Sequence, residues 1–170
     1  MRLDKISAGR IYVDTNVLYM YLRTDPEHLD TVKSFFRQVI AGELDAFVGV
    51  PVLDELYYRL LLARIRDTTE GNPLDALRND AVSAIEAHSY YIETAIRKLT
   101  AFPHLGIVGL ESGDADKMLE NIRAYSLLPR DALHITVVQR LGLRMVASDD
   151  RDFDRVEGIE RHWVYYTPVK

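Results

Sequence analysis

What most constrains this chain is the recurrence of short apolar runs, each too brief for a buried helix and separated from the next by stretches of helical periodicity. Arg10-Ile-Tyr-Val-Asp14 is β-branched and aromatic, and Ala46-Phe-Val-Gly-Val50 and Leu143-Arg-Met-Val-Ala147 are of the same kind. Ile107-Val108, between Gly106 and Gly109, is a weaker run, and His162-Trp-Val-Tyr-Tyr166 alternates as an edge strand does. Between the first two runs, Leu29, Val32, Phe35, Phe36, Val39 and Ile40 recur at three- and four-residue steps, as on one face of a helix. Pro51 and Pro129 stand where a helix accepts its first residue and open helices over 51–66 and 129–141, with a further helix over 114–125. Strands this short and apolar are stable only when helices cover both faces. The order β-α-α-β-α-α-β-α-α-β-β therefore predicts an α/β fold, a three-layer α/β/α sandwich around a short, mostly parallel sheet.

A length of 170 residues suits a single domain, 1–170. Its one elaboration is an extended helical segment at about 67–102. There the polar loop Asp67-Thr-Thr-Glu-Gly-Asn-Pro73 leads into a long helix over 74–99. Leu74, Leu77, Ala81, Ile85, His88, Ile92, Ala95 and Leu99 form a seam along it, suited to packing on another helix of the same chain or of a second copy. The absence of cysteine excludes disulfides, thiolate zinc sites and cysteine nucleophiles. No apolar run is long enough to span a bilayer, and the first ten residues lack the apolar stretch of a signal peptide, so a cytoplasmic protein without membrane contact is expected.

The acidic residues are placed less evenly than their number suggests. In an open parallel sheet, ligands bind beyond the carboxyl ends of the strands. Asp14 closes the first strand, Glu55 lies one turn into the helix after the second, Asp131 opens the helix at 129, and Asp149 and Asp150 close the fourth strand. Each taken singly suits a cap or a helix first turn. Together they gather like charge at one edge, which raises every member's pKa and calls for a counter-ion. An all-oxygen set suits Mg²⁺ or Mn²⁺, and such ions can activate water and stabilise both oxygens of a phosphodiester displacement. The formal net charge of −5, from 21 Lys+Arg against 26 Asp+Glu, first suggests a protein that avoids nucleic acid. Most of that excess is the proposed site itself, so it carries no such implication once a divalent ion is bound.

The segments Val13-Asp-Thr-Asn-Val-Leu18, Pro51-Val-Leu-Asp-Glu-Leu56, Arg130-Asp-Ala-Leu-His134 and Ala147-Ser-Asp-Asp-Arg-Asp-Phe153 resemble, in order and spacing, the four motifs of PIN-domain ribonucleases, most of all the VapC-type toxins of toxin–antitoxin pairs. The resemblance implies a Mg²⁺- or Mn²⁺-dependent endoribonuclease with Asp14, Glu55, Asp131 and Asp150 as the catalytic, metal-binding quartet, Asp149 being the alternative to Asp150. It also implies supporting roles for Thr15, Asn16 and Ser148, an RNA substrate, a cognate antitoxin protein and a homodimer. Arg59, Arg64, Arg66, Arg130 and Arg151 flank the motifs and are candidate phosphate contacts, with a solvated surface role the alternative for each. Two departures stand out. Pro51 replaces a hydroxyl residue common in the family, and segment 67–102 is longer than a minimal toxin needs. A free-standing PIN nuclease of RNA processing and a non-catalytic RNA- or protein-binding PIN module stay open as alternatives. An aspartyl-nucleophile phosphatase is disfavoured, because Asn16 stands where it needs a second acid. His134, one turn after Asp131, is expected to pack or cap; His28, His88, His104 and His162 show no ligand spacing.

Overall fold

A computed structural model describes residues 2–163. Its elements run β1 (Gly9–Val13), α1 (Thr15–Arg23), α2 (Leu29–Ile40), β2 (Leu44–Gly49), α3 (Val50–Thr68), α4 (Pro73–Asn79), α5 (Ala81–Thr100), β3 (Leu105–Val108), α6 (Asp114–Tyr125), α7 (Pro129–Arg140), β4 (Met145–Ala147) and β5 (Glu160–His162). Single 3-10 turns, absent from the sequence reading, lie at Leu3–Lys5 and Arg151–Arg155. The sheet order is β3-β2-β1-β4-β5, and every pairing is parallel.

β1 sits at the centre because its residues can be buried on both faces: Ile11, Tyr12 and Val13 are wholly inaccessible. β2 and β4 flank it with Ala46, Val48, Val146 and Ala147, equally buried. Helices α1, α3 and α5 pack on one another, and α6 packs on α7. Arg140 ties that second pair to the preceding loop, bonding the buried Asp114 at 3.0 Å, Glu111 at 2.6 Å and the Gly109 carbonyl at 2.7 Å.

Several element ends lie one or two residues from their expected bounds, and three differences have a visible cause. The helix expected over 74–99 is two helices, because Asp80 leaves helical geometry and caps α5, its side chain accepting the Ser83 N–H at 3.0 Å. The strand expected from Leu143 begins at Met145. Gly142 adopts the left-handed conformation (φ 64°) and the Leu143 N–H still closes α7 on the Val138 carbonyl, so the chain reaches the sheet late. The last strand starts early, at Glu160, and Trp163 pairs as an isolated bridge with Arg2; the remainder of the expected run, 164–166, lies outside the described residues. Among the described residues no helix is long and apolar enough to cross a membrane.

Candidate active site

The register of β1 on β4 builds the site. Val13 lies opposite Ala147, and the Asp14 N–H extends the ladder by donating to the Ala147 carbonyl at 3.0 Å, so Asp14 and Ser148 leave the sheet side by side. Asp14 caps α1 and is buried. One of its oxygens accepts the Thr15 N–H at 2.6 Å; the other accepts Ser148 Oγ at 2.6 Å and Asn16 Nδ2 at 3.2 Å. Ser148 Oγ in turn accepts the Asp150 N–H at 3.0 Å, and the Asn16 amide reaches on to Ser148 Oγ and the Asp149 carboxylate. A short hydroxyl and a short amide thus stitch the first and last motifs together, and they aim the Asp14 carboxylate.

Glu55 arrives from α3, whose N-terminus follows β2, the other neighbour of β1. Its carboxylate lies between two guanidiniums: Arg130 at 3.3 Å and Arg59, one turn on in α3, at 3.8 Å. Arg59 stacks over the Tyr19 ring at 4.6 Å, and Arg130 also approaches Asp54 at 3.8 Å. Asp131, in the first turn of α7, has no hydrogen-bond partner among the described residues. Asp150 caps the following 3-10 turn through the Asp152 N–H at 2.8 Å.

Electrostatics report the gathering directly. Burial pushes the Asp14 carboxyl from 3.8 to about 6; the Ser148 and Thr15 bonds restrain the rise while Glu55 and Asp149 add to it. Burial likewise lifts Asp131 to about 6, aided by Asp150, Asp14, Asp152 and Glu55. Asp149 is open at its tip, yet the protein packed around it and then Asp150 raise its carboxyl, against the pull of Arg59 and Arg161. Such mutual repulsion is the signature of a site built for a positive partner.

The chemistry of the donors fits a hard divalent cation: every candidate ligand is oxygen, and the buried Thr15 Oγ1 and Asn16 Oδ1 beside Asp14 have no partner. As placed, no three Asp, Glu or His side chains among the described residues converge on one liganding point. The cause is visible, since Glu55 is turned to its arginines and Asp150 to the backbone of the next turn.

The structure therefore draws Asp14, Thr15, Asn16, Ser148 and Asp149 into direct contact, places Glu55, Asp131 and Asp150 within each other's electrostatic reach, and sets Arg59 and Arg130 on Glu55. Arg151 is exposed and makes no ion pair among the described residues. Two participants were not anticipated. Asp152 adds to the field on Asp131, signalled only by the density of acids in Asp149-Asp-Arg-Asp152. Beneath the site, the Tyr12 hydroxyl bonds His134 Nδ1 at 2.9 Å and takes a bond from the Gly49 backbone. Burial drives His134 down to about 4, so the ring is neutral.

A parallel five-stranded sheet with carboxylates gathered past the ends of its two central strands defines an α/β protein with an acidic site. The chain belongs to the PIN domain family, whose model matches residues 11–159. It is 26% identical over 160 residues to Ribonuclease VapC2 of Methanocaldococcus jannaschii, covering 94% of this chain and 97% of that one. Its fold is similar to that of VapBC2 from Rickettsia felis, solved bound to a DNA fragment from the promoter (TM-score 0.60, 11% identity, 90% of this chain and 97% of that chain). Similar folds also occur in Mycobacterium tuberculosis VapC20, described as a Sarcin-Ricin loop cleaving toxin (TM-score 0.53, 18% identity, 85% and 92%), and in a toxin–antitoxin complex from Klebsiella pneumoniae (TM-score 0.54, 15% identity, 88% and 95%).

Proposed function

We propose that this protein is a Mg²⁺- or Mn²⁺-dependent endoribonuclease and the toxin of a toxin–antitoxin pair, acting as a single PIN domain over 1–170. The observation that carries the reading is the gathering of Asp14, Glu55, Asp131 and the Asp149–Asp150 pair past the central strands, where burial and then neighbouring acids raise the carboxyls of Asp14, Asp131 and Asp149. A bound divalent ion supplies Lewis acidity at the scissile phosphate and an activated water. Asp14, at the end of β1, and Asp131, in the first turn of α7, would be the central ligands. Asp150 completes the set, with Asp149 beside it, and Glu55 orients the attacking water and accepts its proton. Ser148, Thr15 and Asn16 keep Asp14 aimed. Hydrolysis by water leaves a 5′-phosphate on the downstream fragment.

The named relatives support an RNA substrate and an antitoxin partner. So does an apolar groove of about 450 Å³ between α1 and α5, lined by Tyr21, Leu22, Tyr90, Tyr91 and Phe102 with Lys98 at its rim, which suits a partner chain. The exposed Val82 and Ile85, one turn apart on α5, offer an apolar face for a homodimer in addition. The test is incubation with a structured RNA pool in Mn²⁺ or Mg²⁺, with and without chelator. Cleavage should need the ion and fall at least a hundredfold in Asp14→Asn and Asp131→Asn, by a margin of about 10²–10³. Cleavage indifferent to chelator, or undiminished in Asp14→Asn, overturns the reading.

A further inference from the structure

Glu55 is the one acid of the quartet held by cations, and the manner of its holding is informative. Arg130 approaches one carboxylate oxygen at 3.3 Å and Arg59 the other at 3.8 Å, from opposite sides and from different helices. Neither distance is that of a tight charge-assisted bond, and both guanidiniums are about half open to solvent (52% and 39%). The contrast with the molecule's structural arginines is clear: Arg140 and Arg161 are mostly covered and bond their carboxylates at 2.6 to 3.0 Å. Long, half-exposed ion pairs are weak, so these two arginines are not there to stabilise the fold. Arg59 is instead braced on the Tyr19 ring, which fixes its plane at the rim, and its field reaches Asp149 across the cleft. Arg130 immediately precedes Asp131, so its charge and a central carboxylate share one helix turn.

The geometry points to a latch: Arg59 and Arg130 are positioning residues that hold Glu55 off the ion-binding centre, and they release it to grip the phosphates of the RNA strand when Glu55 turns inward. The inference rests on the nuclease reading of the same site and adds how that site is regulated. In the latched form two positive charges offset the acidic cluster, and no three carboxylates among the described residues converge. In the released form Glu55 joins Asp14 and Asp131, and the two guanidiniums, freed of their only acidic partner in the quartet, stand over the same cleft with planar forks suited to phosphate oxygens. Ion loading and RNA grip are thereby coupled through one carboxylate, since each guanidinium can serve Glu55 or a phosphate but not both well.

The experiment reads binding, so it does not depend on turnover. Mn²⁺ affinity is measured by titration calorimetry on wild type, Arg130→Gln, Arg59→Gln, Arg151→Gln, Glu55→Gln and the Arg130→Gln/Glu55→Gln double variant. Affinity for a short single-stranded RNA is measured by fluorescence anisotropy with Ca²⁺, a poorer Lewis acid, in place of Mn²⁺. Arg130→Gln and Arg59→Gln should each tighten Mn²⁺ binding by about three- to fivefold, the scale of a half-exposed ion pair, and weaken RNA binding by about three- to tenfold. Arg151→Gln, which removes the same charge without touching Glu55, should weaken RNA binding and leave Mn²⁺ affinity nearly unchanged, being screened. In the Glu55→Gln background the Mn²⁺ gain from Arg130→Gln should disappear. Changes of the same sign in both readouts, a gain in Arg151→Gln equal to that in Arg130→Gln, or a gain that persists without Glu55 overturns the latch. A wild-type protein that takes up no Mn²⁺ overturns the nuclease reading instead, so the two failures are distinct.

Discussion

Replacing Asp14 by Asn should make the metal-free protein more stable while it destroys the site. Folding carries the Asp14 carboxyl from 3.8 to about 6, so at pH 7.5 its charged form is costlier in the fold than in the unfolded chain by about 3 kcal/mol. The sign follows from the direction of the shift. Stability tied to this group is fully present below 3.8, where both states hold the proton, and is lost as pH rises to about 6. Asparagine removes that loss because it has no proton to give up. It also forfeits the charged acceptor that takes the Ser148 hydroxyl at 2.6 Å and leaves its own amide facing that of Asn16, at a cost of about 1–2 kcal/mol. The net gain is about 1–2 kcal/mol, or some 2–8 °C in Tm for a chain of this length. Thermal melts in EDTA at pH 7.5 and pH 4 provide the assay. The variant should melt higher at pH 7.5 and level with or below wild type at pH 4, and the Tm increase that Mn²⁺ gives wild type should vanish in it. An Asp14→Asn protein that melts lower than wild type at pH 7.5 in EDTA, or keeps an equal gain at pH 4, would show that the carboxylate cluster is not under electrostatic strain.

Elsewhere the structure makes sharper demands on stability. Tyr12→Phe strips His134 Nδ1 of its hydrogen-bond partner in a buried setting and should cost about 1–3 kcal/mol by urea denaturation; a cost below about 0.5 kcal/mol means that the imidazole is satisfied another way. His134 is held neutral, down from 6.5 to about 4, so its share of stability is present above 6.5 and lost as pH falls toward 4. His134→Gln should flatten the acid limb of a stability–pH curve, and an unchanged limb refutes the assignment. Arg140→Gln leaves Asp114 buried beside a neutral partner and should destabilise by about 2–4 kcal/mol, largely recovered in Arg140→Gln/Asp114→Asn; no recovery points to lost packing instead. Gly49→Ala sets a methyl 2.5 Å from the Tyr12 hydroxyl and should disturb the Tyr12–His134 bond, visible as a raised His134 pKa by NMR.

The strand-end carboxylates were legible because two local rules coincide: apolar runs of four or five residues mark the sheet, and the first polar residue after each lies at its carboxyl edge. Asp14 and Ser148 meet as that logic requires. What was not legible depends on longer-range geometry. Nothing in the sequence of α3 says that Glu55 turns to Arg130, which lies 75 positions away on a helix whose approach is set by β4. The break at Asp80 was masked by a hydrophobic period that continues through it, although Asp is itself a favoured N-cap residue. His134 was rightly expected to pack, but its partner Tyr12 reads from sequence only as an inward strand residue.

The position of β4 beside β1 also sets a schedule for synthesis. Chains fold from the amino end as they emerge, and β1, β2 and β3 can pair once Val108 is out. One edge of β1 then waits for residues 145–147, and until they arrive Asp14 has no Ser148 to aim it. A chain that ends before residue 145 therefore lacks the Asp14–Ser148 contact, and the site is assembled only when β4 docks into the middle of the sheet.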